Sequence, residues 1–352
     1  MNASGPNIEV HNLHKRFGQV SAVEDITFEV GKGQIMGFLG PNGAGKSTTM
    51  RILCGIIPAT SGVARICGIS VANHPNEVKR RIGYMPENNP QPDDMRVVEY
   101  LRYRGHLKEI PGRKLKQRVE TVMELCDLRR RARRRVIGTL SKGYRQRVGI
   151  ADAILAEPDV IVMDEPTIGL DPHQILAVRD LIDSFRGEMT VILSSHILAE
   201  IEVSCDCVII INNGRLVATG SPVNLRTEFI HNTIYDLQLQ GDLAALDPLL
   251  KSIHPDLTWA PSSDPDESGF YSLTIEVPQI ENIGEEILLL LQRHAEYRVR
   301  ALHAVEPSLE DIFLAATKRS WNESMPEKAV NPQATEPARP PVPHPTPPDR
   351  PG

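Results

Sequence analysis

An apolar run, Gln34–Leu39, leads straight into Gly40-Pro-Asn-Gly-Ala-Gly45-Lys46-Ser47, and a helical pattern, Lys46–Gly55, starts before the loop has ended. The string fits G-x-x-x-x-G-K-[ST], which requires a buried strand before it and a helix after it. The chemistry explains the residue types. Glycines let backbone N–H groups approach a polyphosphate closely. The helix start adds the favourable end of its dipole. Lys46 then reaches the β- and γ-phosphates, and the Ser47 hydroxyl ligates magnesium. The expected nucleotide contacts are Gly40, Pro41, Asn42, Gly43, Ala44, Gly45, Lys46, Ser47 and Thr48.

Farther along, the apolar run Val160-Ile-Val-Met163 delivers Asp164 and Glu165 at its end. In open α/β sheets, ligands lie at that end of the strands. Asp164 is expected to hold the magnesium through a water. Glu165 is the candidate general base that polarises an attacking water. Such an acidic pair also begins many helices, so its meaning comes from its company with the lysine loop.

The first 220 residues alternate short β-like runs with helical patterns, which indicates an α/β domain. Ile8–Val10 and Ile26–Val30 predict strands of an antiparallel part. Val97–Gly105 and Arg113–Leu125 predict a small helical insert, and Ser141–Leu155 a further helix. Pro172–Phe185 predicts a helix before the strand Thr190–Leu193, and Asn212-Asn213-Gly214 the turn of a hairpin. Between residues 228 and 318 the pattern reads β-α-β-β-α-β, the order of a ferredoxin-like α+β domain. A last helix, Ser308–Ala316, has Asp311 three residues after Ser308, a capped start. The tail carries ten prolines between Pro326 and Pro351, too many for a helix or a central strand, so disorder with polyproline II character is expected. The expected divisions are therefore 1–227, 228–318 and 319–352.

Other features narrow the class. The longest apolar run, Ile287–Leu291, falls far short of the roughly 20 residues that a bilayer helix needs. The first 18 residues are polar and lack the apolar core of a signal peptide. Five cysteines, an odd number mostly in or beside apolar segments, suit a reducing compartment. The net charge of −6 does not advertise nucleic-acid binding, so any anion site must be built locally.

Between the two motifs lies Leu140-Ser141-Lys142-Gly143-Tyr144-Arg145-Gln146-Arg147. This resembles the LSGGQ signature of ABC transporter ATPases. Gly169-Leu170-Asp171 resembles their D-loop, His196 their switch histidine and Phe17 their adenine-stacking aromatic. The elements stand in family order from about Ile8 to Ser221. The resemblance implies a phosphate-loop NTPase cassette with an antiparallel β subdomain and a helical insert, followed here by a small C-terminal α+β domain. It implies an ATPase that uses ATP and magnesium and works at the cytoplasmic face of the membrane with an integral-membrane permease. Two copies would pair head to tail, so that Ser141 and the backbone at Gly143 meet the γ-phosphate held by the other chain. His196 would grip that phosphate.

The departures from the family pattern are informative. Lys142 replaces a glycine and Tyr144 a glutamine in the signature, and the Q-loop reads Ile82-Gly-Tyr-Met-Pro-Glu87, with Glu87 in place of glutamine as a magnesium ligand. These variants, with Glu306-Pro-Ser-Leu-Glu-Asp-Ile-Phe-Leu314, resemble bacterial export-type ATPases named for drug resistance and gliding motility. Met95, Val97 and Val98 read equally as core of the insert or as a permease contact. Arg129 to Arg135 holds six arginines in seven positions. It reads as a solvated loop beside the signature helix, as a contact for membrane or permease, or as a nucleic-acid patch without the aromatics that would stack bases. The competing function is a non-transport ABC ATPase acting as a soluble regulatory or nucleic-acid-associated factor. The single phosphate loop and the short gap from Ser47 to Leu140 argue against it.

Overall fold

A computed structural model describes residues 5–195, 197–230, 232–278, 283–305 and 307–324, with side chains to residue 317. The chain opens with β1 (Ile8–Phe17), β2 (Val20–Val30), β3 (Ile35–Leu39) and α1 (Lys46–Leu53). Then come β4 (Ser61–Ile66), β5 (Ile69–Ser70), α2 (Pro75–Arg81) and β6 (Ile82–Met85). Helices α3 (Val97–Leu107), α4 (Gly112–Leu125) and α5 (Lys142–Ile154) precede β7 (Val160–Asp164) and α6 (Pro172–Asp183). The first part ends with β8 (Thr190–Ser194), α7 (Leu198–Ser204), β9 (Cys207–Asn212), β10 (Arg215–Gly220) and α8 (Pro222–Phe229).

Two sheets organise these elements. Strands β2-β1-β4-β5 form an antiparallel sheet, longer in each of its first two strands than the sequence pattern predicts. Strands β10-β9-β3-β8-β7-β6 form a second sheet, parallel from β9 to β6 with β10 as an antiparallel edge. Every residue of β3, β7 and β8 is buried, as in parallel strands covered on both faces. Alternate residues feed two cores. Met36, Phe38 and Val162 pack towards the antiparallel sheet, where Phe28 meets Phe38 edge to face with ring centroids 5.4 Å apart. Ile35, Leu39 and Met163 pack on the helical side. Met95 and Val98 lie against that core and Val97 is fully buried in it.

One buried hydroxyl joins the sheets at their base. Thr190 Oγ1 accepts hydrogen bonds from Asn7 Nδ2 at 2.9 Å and Gly33 N–H at 3.0 Å, and lies 3.2 Å from Gly31 O, to which it donates.

The chain continues with β11 (Asn232–Gln240), α9 (Leu246–Ile253), β12 (Thr258–Ser263), β13 (Tyr271–Pro278), α10 (Gly284–Gln292) and β14 (Arg298–Val305). The sheet order is β12-β13-β11-β14, antiparallel throughout. Leu237, Leu250, Ile275 and Ile287 share its own core. Both the element order and the pairing are those of the split β-α-β unit expected for this segment.

Helix α11 (Leu309–Ser324) departs from expectation. It runs past Ala316, and although it follows the C-terminal sheet it does not pack on that sheet's core. Leu309, Ile312 and Ala316 are buried with the helical-side core of the first part. Burial of an apolar face, not sequence neighbourhood, decides where such a helix docks. Ser308 and Asp311 cap its start as expected, with Ser308 N–H to Asp311 Oδ2 at 2.9 Å. The proline-rich tail lies outside the described residues from residue 325 onward.

Thr190→Val would keep the shape but leave the Gly33 N–H buried without its acceptor. A stability loss of about 1–3 kcal/mol is expected, measured as a lower urea midpoint with an unchanged slope.

Candidate functional site

Residues Gly40 through Thr48, with Ala22, Glu87 and Glu165, line one cavity of about 690 Å³. The loop is shaped by close backbone approach. A Cβ at Gly40 would stand 2.3 Å from Ile211 O, and one at Gly45 2.5 Å from Ala22 O. Gly45 also has φ +107°, a conformation open to glycine, and it is the residue immediately before α1. Lys46 is buried, and its Nζ donates to Gly40 O at 2.6 Å and Pro41 O at 3.2 Å. Burial lowers its pKa, while Glu165, Asp164 and Glu87 oppose that shift. All three carboxylates expected near the phosphates therefore act on the lysine.

The acidic pair is held by Ser194, which the sequence reading missed. The Ser194 hydroxyl accepts from Glu165 N–H at 2.9 Å and lies 2.7 Å from Asp164 Oδ1, to which it donates. Strand register puts Asp164 opposite Ser194. The signal was a serine ending an otherwise apolar strand, Thr190-Val-Ile-Leu-Ser194. Glu165 itself has φ +51°, a left-handed conformation that a non-glycine residue adopts at a cost. Next to it, Thr167 Oγ1 donates to Glu200 Oε2 at 2.6 Å, and Ser195 Oγ donates to the same oxygen at 3.2 Å.

Three expected nucleotide contacts stand apart. Phe17 ends β1, is 51% exposed and carries Lys15 Nζ 4.8 Å above its ring centroid. It is not among the cavity-lining residues. Ser141 and Gly143, at the start of α5, line a different pocket with Arg131, Tyr144 and Asp171. His196 lies outside the described residues. The arginine run is partly consumed internally: Arg129 pairs with Glu124 at 2.7 Å, Arg133 pairs with Glu120, and Arg135 donates to Thr139 O at 2.6 Å. Arg130, Arg131 and Arg134 remain exposed.

Among the described residues, no group of three or more His, Cys, Asp or Glu side chains could hold a metal alone. A magnesium ion shared with a nucleotide has a different requirement. It takes one or two carboxylates plus phosphate oxygens and water, and the hard oxygen donors of Ser47, Glu87 and Asp164 fit it.

A family model described as ABC transporter matches residues 23–168, a span that includes Lys46, Ser141, Asp164 and Glu165. The Nod factor export ATP-binding protein I of Ralstonia nicotianae is 32% identical over 321 residues, spanning 91% of this chain and 96% of that protein. The chain belongs to the ABC transporter ATP-binding proteins. The linearmycin resistance ATP-binding protein of Bacillus subtilis is 29% identical over 320 residues, covering 89% of this chain and 99% of its own. A solved ATP-binding subunit of an ABC transporter superposes with a TM-score of 0.58 at 31% identity, over 63% of this chain and 92% of that one. A dimeric bacterial ABC transporter cassette shares the fold, with a TM-score of 0.56 at 21% identity, over 61% and 98%. As a member of this family the chain is an ATP-binding ATPase.

Ser194→Ala removes the group shared by Asp164 and Glu165. Turnover is expected to fall roughly tenfold, the scale of one hydrogen bond to a charged group, with nucleotide still bound. Phosphate release measured beside a calorimetric titration checks this; parental turnover would remove Ser194 from the role.

Proposed function

We propose that this ATPase binds MgATP at the Gly40–Thr48 loop, pairs head to tail with a second copy around the nucleotides, and powers export through a separate integral-membrane permease. The observation that carries this reading is the division of one expected site between two surfaces. Lys46, Glu87 and Glu165 share a cavity, while Ser141 and Gly143 open elsewhere on the same chain. A second chain supplies the missing half.

Each residue then has a task. Lys46 exchanges the Gly40 and Pro41 carbonyls for β- and γ-phosphate oxygens, a stronger, charge-assisted pairing. Ser47, Asp164 and Glu87 would hold magnesium, which when bound neutralises charge on the phosphates. Glu165 accepts a proton from the water that attacks the γ-phosphorus, as the bond to the β-phosphate oxygen breaks. Phe17 offers an exposed ring for adenine, and His196 takes the γ-phosphate contact that the family resemblance implies. Residues 1–227 form the ATPase unit and 228–318 an accessory one, whose last segment, α11, packs back on the helical-side core of the first. Among the described residues no helix is long and apolar enough to cross a membrane. Relatives named for export and for resistance support the export direction and a seat at the cytoplasmic face, held by the permease. No nucleic-acid partner is part of the proposal.

Glu165→Gln is expected to bind ATP yet lose about 10²–10⁴ of the turnover, the usual contribution of a positioned base. Phosphate release and size-exclusion chromatography with ATP give the readouts, the second showing a trapped dimer. Near-parental turnover would exclude Glu165 as the base.

Ser141→Arg tests the shared site. A bulky cation at the start of α5 blocks docking of the opposing chain and leaves the Lys46 loop untouched. Near-normal ATP affinity with poor hydrolysis is expected. Loss of ATP binding, or unchanged turnover, would contradict the head-to-tail arrangement.

A further inference from the structure

Phe313 stands in the wall of the nucleotide cavity, together with Glu165, Ile168 and Leu198. It arrives there on α11, after the entire C-terminal sheet. The three apolar side chains come from three separate elements: the loop after β7, the start of α7, and α11. They line the same cavity as Glu165 and the Gly40–Thr48 loop with Lys46.

Helix α7 links α11 to the hydrolytic loops. On one side Glu200 accepts from Thr167 and Ser195, which follow the two strands that carry Asp164 and Ser194. Two residues on, Glu202 pairs with Arg226 of α8 at 2.8 Å and accepts from the Leu309 N–H of α11 at 3.4 Å. The docking of α11 is thus fastened to the same helix that braces the loops around Glu165.

We infer that Phe313 is a positioning residue of the hydrolytic site: α11 carries its ring into the cavity to keep bulk water away from the Glu165 side. An apolar wall beside a carboxylate base lowers the local dielectric and limits the waters that compete for the attacking position. Helix α11 thereby sets the rate of hydrolysis, although it lies beyond the C-terminal sheet. The inference rests on the proposed reading of Glu165 as the base.

The test compares variants of the full-length chain. Phe313→Ala is expected to lower kcat about tenfold, a fraction of what a positioned base contributes, with ATP affinity close to the parent's. Phe313→Leu restores apolar cover and should recover most of the rate. Ile312→Ala removes buried contact from the same helix but not from the cavity, so it should lower the melting temperature and leave kcat of the folded protein intact. Parental kcat in Phe313→Ala overturns the inference. So does a loss of kcat that tracks the melting temperature equally in Phe313→Ala and Ile312→Ala. If Phe313→Ala does not fold, Phe313→Gln against Phe313→Leu decides: a slow Gln variant supports the role of apolar cover, and equal rates exclude it. A parent chain that binds ATP without hydrolysing it would overturn the proposed function itself, and this inference with it.

Discussion

Strand β3 runs between β8 and β9 with none of its five residues exposed. Parallel pairing on both sides fixes where each neighbouring strand ends, and the site depends on those ends. The phosphate loop leaves β3, the acidic pair leaves β7, and Ser194 closes β8, all at one edge of the sheet. A one-residue slip would turn alternate side chains to the opposite core. Burial on both faces makes such a slip costly.

At that edge the site balances a buried cation against three carboxylates and two backbone carbonyls. Lys46 finds partners in its own loop. The charge is thereby kept in the cavity, held by neutral acceptors. Asp164 and Glu165 are fixed in a complementary way. The Ser194 hydroxyl accepts a hydrogen bond from the Glu165 N–H and donates one to Asp164 Oδ1, so one side chain fixes the two acidic residues relative to each other.

The same chain places its signature helix away from this cavity and brings α11 towards it. The first arrangement separates Ser141 and Gly143 from the cavity that holds Lys46 and Glu165. The second ties residues beyond the C-terminal sheet to α7, and through Glu200 to the loops around Glu165. The C-terminal sheet keeps a core of its own, so the connection runs through α11 and not through sheet-to-sheet packing.

The sequence by itself determined the elements whose structure depends on near neighbours. The Gly40–Ser47 loop needs its glycines because the backbone must approach Ala22 and Ile211 closely. Apolar runs become buried parallel strands, and Asn213-Gly214 turns a hairpin. The α/β class, the antiparallel sheet, the helical insert and the β-α-β-β-α-β order were all legible in this way. Only the tertiary structure decided what long-range packing decides. Ser194 reads as the end of an apolar strand until register sets it opposite Asp164. Phe17 has a position in a motif but stands outside the cavity of its own chain. Helix α11 reads as the end of the C-terminal unit, because a periodic apolar face states that it must be buried but not against what. The partner surface is chosen by complementary shape among elements distant in sequence, and no local pattern records that choice.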